Sequence, residues 1–211
     1  MRKLPDKIQP KNKTQLRQLI NYVFKHHIYD LNFIDTSKIK DMSWLFENVK
    51  HNFDISSWDV SNVTNMAGMF YCCKNFDCDL SKWDVSNMID MKSMFDCCIN
   101  FEGKGLENWD VSKVTNMELM FFKCKKLNRD LSSWDMSNVK DTYSMFYKCE
   151  AFEGKGLENW NVENITDATY MFCGCEKLNC DLSNWNISKT TPVKDMFFNC
   201  DKNIIPDWYN A

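Results

Sequence analysis

Large apolar residues recur along this chain with a period of 24 to 26 residues. Seven times, a hydrophobic anchor is followed about a dozen residues later by a hydrophobe-Phe pair. The anchors, which number repeats 1 to 7, are Ile34, Trp58, Trp83, Trp109, Trp134, Trp160 and Trp185. The pairs are Leu45-Phe46, Met69-Phe70, Met94-Phe95, Met120-Phe121, Met145-Phe146, Met171-Phe172 and Met196-Phe197. Self-similarity at such a period predicts stacked repeats that share one core, which leaves few large apolar residues for other roles.

Within each repeat the hydrophobic pattern changes its period, and repeat 3 is typical. Trp83 and Val85 alternate with Asp84 and Ser86, which predicts a short strand with the first pair inward. A stretch with the i, i+3, i+4, i+7 spacing of a short helix follows, and Asp90 is the candidate N-cap of that helix. The apolar residues of this stretch are Met91, Met94, Phe95 and Cys98. The pattern therefore predicts one strand and one helix per repeat.

The segments outside the repeats have different patterns. Residues 1–13 are polar, and we predict a flexible N-terminus there. Residues 14–30 are predicted to form a capping helix with Thr14 as its N-cap, because their apolar residues follow helical spacing. The repeats then occupy residues 31–200, and residues 201–211 are expected to be a C-terminal cap or partial coil. The apolar residues of the predicted capping helix are Leu16, Leu19, Ile20, Val23, Phe24 and Ile28.

The repeated string resembles a known family. Trp58-Asp59-Val60-Ser61-Asn62-Val63-Thr64-Asn65-Met66, followed by Met69-Phe70 and Cys73, is similar to the 26-residue repeat of BspA-like bacterial surface proteins, which is also found in large DNA viruses. The resemblance covers roughly residues 31–200. It implies an α/β fold, a right-handed leucine-rich-repeat-like solenoid of about seven coils, used in adhesion or protein–protein interaction. No catalytic residues are implied by it.

One column of polar residues suggests a binding face. The residue after each anchor is Asp35, Asp59, Asp84, Asp110, Asp135, Asn161 or Asn186. At a rung spacing of ~4.8 Å, neighbouring carboxylates repel by about 0.9 kcal/mol even at the dielectric constant of water. Either a basic partner offsets this repulsion, or each Asp accepts backbone N–H bonds within its own coil. The predicted partner-binding face, here called the Asp–Ser face, is Asp59, Ser61, Asp84, Ser86, Asp110, Ser112, Asp135 and Ser137.

The eleven cysteines recur mostly at one position of the repeat, which predicts reduced thiols packed as small hydrophobes rather than a disulfide framework. The alternative is a metal or redox array, but no pair of C-x-x-C knuckles has zinc spacing. The recurring cysteines are Cys73, Cys98, Cys124, Cys149, Cys175 and Cys200.

No constellation indicates catalysis. The three histidines suggest no Ser/His/Asp or Cys/His arrangement, and the Gly-Lys-Gly turns at 103–105 and 154–156 lack the rest of a phosphate-binding loop. We therefore expect no enzyme activity, no cofactor, no metal and no nucleic-acid partner.

The chain has a net charge of −3, no apolar run of the ~20 residues that span a bilayer, and no secretory signal after Met1. These features predict an intracellular location without membrane attachment. We expect a noncatalytic scaffold for protein–protein interaction, with an unknown and possibly basic protein partner. The alternatives are a structural or virion-associated protein that stacks end to end, and a cell-surface adhesin. Monomer and end-to-end oligomer both remain open.

Overall fold

The computed structural model describes residues 7–209. Within that range there is one α-helix, α1 at Lys13–Lys25, and three 3-10 helices at Leu106–Asn108, Leu157–Asn159 and Lys202–Ile204. Successive repeats lie side by side in parallel, but they are joined by isolated bridges and form no strand or sheet in the described part of the chain. The predicted α/β solenoid of leucine-rich-repeat type, with one strand and one helix per coil, is therefore wrong. Turns replace both elements.

The predicted strand has the expected alternation but not the expected backbone. In repeat 3, Trp83 and Val85 are buried and Asp84 is exposed. However, the Asp84 side chain accepts the N–H of Ser86 at 3.0 Å, and the N–H of Met88 returns to the carbonyl of Val85 at 2.8 Å. Side chains that bond nearby backbone groups compete with sheet pairing. The backbone therefore turns after Asp84 instead of extending.

The predicted helix is a series of turns, here called the turn segment (91–98 in repeat 3). Alternate N–H groups donate to the next repeat, as in the bond from Phe95 to the carbonyl of Met120 at 2.9 Å. The N–H groups between them close turns three residues back, as in the bond from Met94 to Met91. In a helix every N–H would instead reach the carbonyl four residues back. The bonds between repeats 3 and 4 run from Met91, Ser93, Phe95 and Cys97 to Asn116, Glu118, Met120 and Phe122.

Left-handed backbone recurs twice in each turn segment. In repeat 3 the residues are Ser93 at φ 54° and Cys97 at φ 61°. Such a conformation costs a non-glycine residue of order 1–3 kcal/mol, and only Gly68 and Gly174 avoid this cost. Asp90, predicted as a helix N-cap, instead lies in a parallel bridge with Asn116, and its side chain accepts the N–H of Lys92. The positive-φ pairs are Trp44 and Asn48, Gly68 and Cys72, Ser93 and Cys97, Leu119 and Lys123, Ser144 and Lys148, Tyr170 and Gly174, and Asp195 and Asn199.

The core is made of columns of equivalent side chains. Each of the six anchor tryptophans is buried, as predicted, and its indole N–H donates to a Leu or Ile carbonyl of the preceding repeat at 2.8 to 3.4 Å. The phenylalanines of the hydrophobe-Phe pairs stack from Phe46 to Phe197 with ring centroids 5.2 to 5.8 Å apart. Burying these rings removes large apolar area from water and stabilises the stack.

Helix α1 packs on the end of the stack at repeat 1. Its N-cap is Asn12 rather than Thr14, since the Asn12 side chain accepts the N–H of Gln15 at 3.0 Å. Leu16, Ile20 and Val23 form its buried face. The Arg17 guanidinium donates to the carbonyl of Trp44 at 2.6 Å, so α1 covers a carbonyl at this end.

The chain's two ends are described in part. Ile8 bridges to Ile34, and residues 1–6 of the predicted flexible N-terminus lie outside the described residues. At the other end, the Trp208 indole donates to the carbonyl of Leu182 at 2.8 Å and extends the tryptophan series by one member. The Tyr209 ring packs edge-on against Phe197 at 5.1 Å, and residues 210–211 of the predicted cap are not described.

Candidate functional surfaces

The Asp–Ser face is held in place by one hydrogen bond repeated in every copy. Each aspartate accepts the backbone N–H of the serine two residues later, at distances between 2.9 and 3.1 Å. The four aspartates are exposed and the four serines are half-buried. The structure therefore brings all eight predicted residues onto one surface. One oxygen of each carboxylate therefore accepts a backbone hydrogen bond within its own repeat. This is the role that the sequence offered as the alternative to partner binding.

Charge on this face is favoured by its own hydrogen bonds. The side chain and then the backbone N–H of Ser86 lower the pKa of the Asp84 carboxyl, while the neighbouring Asp110 carboxylate acts in the opposite direction. The equivalent bonds from Ser112 lower the pKa of Asp110. Within residues 7–209, no hydrogen-bond donor contacts the second oxygen of Asp59, Asp84, Asp110 or Asp135. These oxygens are free to accept a ligand.

A row of amides ties the Asp–Ser face together across the repeats. The Asn87 side chain donates to the carbonyl of Ser61 at 3.0 Å, and Asn138 donates to Ser112 at 2.7 Å. Between them, Lys113 reaches the Asn87 side-chain oxygen at 2.8 Å. The carbonyls of Ser61 and Ser112 are therefore each held by an amide of the next repeat, and the Lys113 bond links repeats 3 and 4.

A second acidic row lies at another corner of the repeats, and the sequence analysis did not single it out. Lys104 pairs with Asp79 and Lys155 pairs with Asp130, each at 2.7 Å. These are equivalent pairs from the two Gly-Lys-Gly turns. The Lys side chains are the largest cause that lowers the pKa of each aspartate to about 2. An open cleft of about 450 Å³ on the same side is lined by Tyr29, Asp30, Asn52, Phe53, Asp54, Asp77, Cys78 and Asp79.

The glycines of these turns all have positive φ. Gly105 has φ 100°, and a Cβ at this position would lie 2.2 Å from the backbone nitrogen of Ser81 in the preceding repeat. A Cβ at Gly156 would likewise lie 2.3 Å from the backbone nitrogen of Ser132. Only glycine permits this close approach. The two turns thus place Lys104 and Lys155 beside the aspartates of the preceding repeats.

The recurring cysteines form a buried series, as predicted from their spacing. Each thiol donates to the carbonyl of the phenylalanine one repeat earlier, as in the bond from Cys98 to Phe70 at 3.0 Å. Burial raises the pKa of the Cys98 and Cys124 thiols well above the ordinary value. Thiols held protonated in this way are poor metal ligands and nucleophiles. Across residues 7–209, no three His, Cys, Asp or Glu side chains converge to hold a metal ion.

Aromatic side chains are partly exposed on the outer side of the turn segments, which the sequence analysis missed. Phe122 and Tyr147 stack with ring centroids 4.7 Å apart, and Lys123 lies over the Phe122 ring at 4.8 Å. At the positions equivalent to Phe122 and Lys123, repeat 3 has Asp96 and Cys97. Because these positions hold aromatic, charged and thiol side chains in different repeats, no hydrophobic periodicity indicates them.

These features define a protein of stacked, turn-built repeats with a polar exterior. The chain belongs to the family described as Mycoplasma protein of unknown function, DUF285, whose model matches residues 14–105 and again residues 90–208. No curated protein and no solved structure matches the chain. In the part of the chain that the structure describes, no helix is long and apolar enough to cross a membrane.

Proposed function

We propose that this chain is a noncatalytic scaffold whose Asp–Ser face binds a lysine- or arginine-rich segment of a partner protein inside the cell. The observation that carries the proposal is the row of exposed carboxylates at Asp59, Asp84, Asp110 and Asp135. Each keeps one oxygen free of hydrogen bonds within residues 7–209. A row of like charges at the repeat spacing favours a polycationic ligand, which relieves the repulsion between them.

Two further features support the proposal. The serine N–H bonds fix the carboxylates before a ligand arrives, so less conformational entropy is lost on binding. The finer resemblance to BspA-like repeats, which implies adhesion or protein recognition, agrees with a binding role. We also propose that the chain has no enzyme activity.

The test separates charge from hydrogen bonding. Asn occupies the aspartate position in repeat 6, where Asn161 accepts the N–H of Glu163 at 3.2 Å. The double variant Asp84→Asn with Asp110→Asn therefore keeps the turn and removes two charges. We expect it to bind a synthetic oligolysine peptide at least about tenfold more weakly than the wild type, as about 1.4 kcal/mol of lost interaction would give.

A matched control removes the same two charges elsewhere. Glu176 and Asp207 are exposed and lie outside the Asp–Ser face. Glu176→Gln with Asp207→Asn should leave oligolysine binding close to that of the wild type. Equal weakening by both double variants would indicate a general charge effect, and unchanged binding by the Asp84 and Asp110 variant would refute the proposed face.

End-to-end assembly is a second candidate, and the C-terminal end of the stack favours it. Within residues 7–209, no acceptor contacts the backbone N–H groups of Val193, Asp195 and Asn199, whose equivalents in earlier repeats donate to the next repeat. An open edge of this kind can pair with another chain. At the opposite end, however, Arg17 of α1 already occupies the carbonyl of Trp44.

Light scattering distinguishes the two candidates. A scaffold should keep a mass near 25.0 kDa across a concentration series. Head-to-tail stacking requires a mass that rises with concentration, together with displacement of α1. A rising mass would favour assembly over the scaffold.

A further inference from the structure

Two cysteines outside the buried series lie next to each other in adjacent repeats. Cys72 and Cys97 are partly exposed. The N–H of Cys72 donates at 2.7 Å to the carbonyl of Asp96, the residue before Cys97. Both residues have left-handed backbone, with φ 57° and 61°, so their side chains leave the backbone in the same direction. Neighbouring rungs ~4.8 Å apart lie within the Cα separation of about 4.4–6.8 Å that a disulfide requires.

A buried carboxylate with one oxygen that lacks a hydrogen-bond partner among the described residues lies beside this pair. Asp96 is only 6% exposed, and its Oδ1 atom has no hydrogen-bond partner within residues 7–209. The equivalent residue is an exposed carboxylate, Glu47, in repeat 1 and an aromatic residue, Phe122 or Tyr147, in repeats 4 and 5. An unpaired buried carboxylate costs stability. Desolvation raises the pKa of Asp96, and burial followed by Asp96 raises the pKa of the Cys97 thiol to about 12.

The two thiols differ in their access to solvent and in the charges around them. Cys72 lines an open cleft of about 420 Å³ together with Asn48, Lys50, Lys74 and Asn75. Two of these residues are lysines, so the Cys72 thiol lies in an open, basic cleft. The pair therefore combines an accessible thiol in basic surroundings with a resolving thiol beside a carboxylate.

We propose that Cys72 and Cys97 form a redox-active dithiol that small disulfides oxidise to a disulfide joining repeats 2 and 3. The Cys72 thiolate attacks one sulfur of the small disulfide, forms a mixed disulfide and releases one small thiolate. Cys97 then gives its proton to the thiolate released in the first step and attacks the Cys72 sulfur, which releases the second small thiolate. One small disulfide is thereby reduced to two thiols, and the two cysteines are oxidised.

The buried cysteines provide an internal control. Cys73 and Cys98 are also one repeat apart, but they are fully buried and their thiols donate to the carbonyls of Phe46 and Phe70 at 2.9 and 3.0 Å. The chain thus holds two neighbouring pairs with the same sequence spacing of 25 residues. Only the exposed pair has access to an oxidant, so the same digest reports on both.

The experiment uses the full chain, fully reduced and then treated with oxidised glutathione. Peptide mapping by mass spectrometry should find a loss of two hydrogens in a cross-link between Cys72 and Cys97, with Cys73 and Cys98 still reduced. Cys97→Ser should stop at a glutathione adduct on Cys72, and Cys72→Ser should lose the cross-link. Asp96→Asn should form the adduct normally and resolve it faster than the wild type, because the carboxylate that raises the pKa of the Cys97 thiol is then absent.

Three outcomes would overturn the proposal. The first is a wild-type protein in which neither thiol is modified, and the second is one that stops at the Cys72 adduct. The third is a cross-link through Cys73 and Cys98. The Cys73→Ser variant should keep the Cys72–Cys97 cross-link, which controls for nonspecific effects of losing a neighbouring thiol. The wild-type measurement decides the matter even where a variant fails to fold.

Discussion

The Phe70 ring lies flat against the Phe95 ring, with centroids 5.2 Å apart and planes inclined by 12°. Each phenylalanine belongs to a turn segment whose backbone bonds to the next repeat, as Phe70 does to Met94 at 2.9 Å. The backbone bonds and the stacked rings therefore hold the same two repeats together. Stability should depend most on residues that take part in both.

Loss of a ring from the middle of this column should be costly. Phe95 is fully buried between Phe70 and Phe121, so Phe95→Ala leaves a cavity and should lower the free energy of unfolding by about 3–5 kcal/mol. Urea unfolding followed by Trp fluorescence measures this change. Phe198 is 58% exposed, and Phe198→Ala should stay within about 0.5 kcal/mol of the wild type. Similar losses for both variants would contradict the assigned core.

Gly105 and Gly174 both have positive φ but differ in the space around them. Alanine variants at these two positions therefore separate the cost of a steric clash from the cost of left-handed backbone. In Gly105→Ala the new Cβ would lie 2.2 Å from the Ser81 backbone nitrogen, whereas in Gly174→Ala its nearest neighbour is the flexible Lys148 side chain at 3.0 Å. Left-handed alanine costs about 1–2 kcal/mol in either case. Gly105→Ala should be clearly more destabilising in thermal unfolding because backbone must also move. Equal destabilisation by the two variants would mean that the Ser81 backbone can move away from the new Cβ at little cost.

The helix cap provides a test within one turn. Asn12→Ala removes the acceptor for the N–H of Gln15 and should cost about 1 kcal/mol of stability. Thr14→Ala leaves that bond intact, so it should change stability by less than about 0.5 kcal/mol. Chemical denaturation of both variants checks the pair. A larger effect at Thr14 would restore the cap that the sequence suggested.

Acid should weaken the two ion pairs beside the Gly-Lys-Gly turns. The Lys side chains lower the folded-state pKa of Asp79 and Asp130 from 3.8 to about 2. The unfolded chain therefore binds more protons between these values, and the stabilisation present above about pH 4 is lost as the pH falls toward 2. The double variant Lys104→Gln with Lys155→Gln should show a shallower loss of urea midpoint between pH 5 and pH 2. The effect should be small, because the pairs are exposed.

An unchanged acid profile in this double variant would show that the lysines do not set the two aspartate pKa values. Lys82 is exposed and has no ion pair within residues 7–209. The variant Lys82→Gln is therefore a control for loss of positive charge. Its acid profile should match that of the wild type.

The sequence located the repeats, the buried columns and the Asp–Ser face, because these follow from which residues recur. It did not predict the backbone between them. Met91, Met94 and Phe95 have helical spacing, but turns closed by bonds three residues back bury the same positions. The left-handed conformation falls on Ser93 and Leu119, which carry no residue-type signal for it, since glycine fills that role in only two repeats. Tertiary bonds between repeats, rather than local propensity, decide the conformation.

The Cys72 and Cys97 pair was visible in the sequence only as additional thiols. Their adjacency depends on the register of repeats 2 and 3, which the backbone bond from Cys72 to Asp96 sets. The burial of Asp96 depends on the same register. Helical spacing grouped Cys98 with the core residues Met94 and Phe95, but nothing in the sequence showed that Cys72 and Cys97 lie opposite each other.

The most direct test of the account is the hydrogen-bond acceptor of the Phe95 amide. Scalar couplings across hydrogen bonds, measured by NMR on isotope-labelled protein, identify the carbonyl that an amide contacts. We predict a coupling from the Phe95 nitrogen to the carbonyl carbon of Met120, one repeat later, as the 2.9 Å contact requires. A coupling to the carbonyl carbon of Met91, four residues earlier, would mean that the segment is helical and would contradict the turn-built fold.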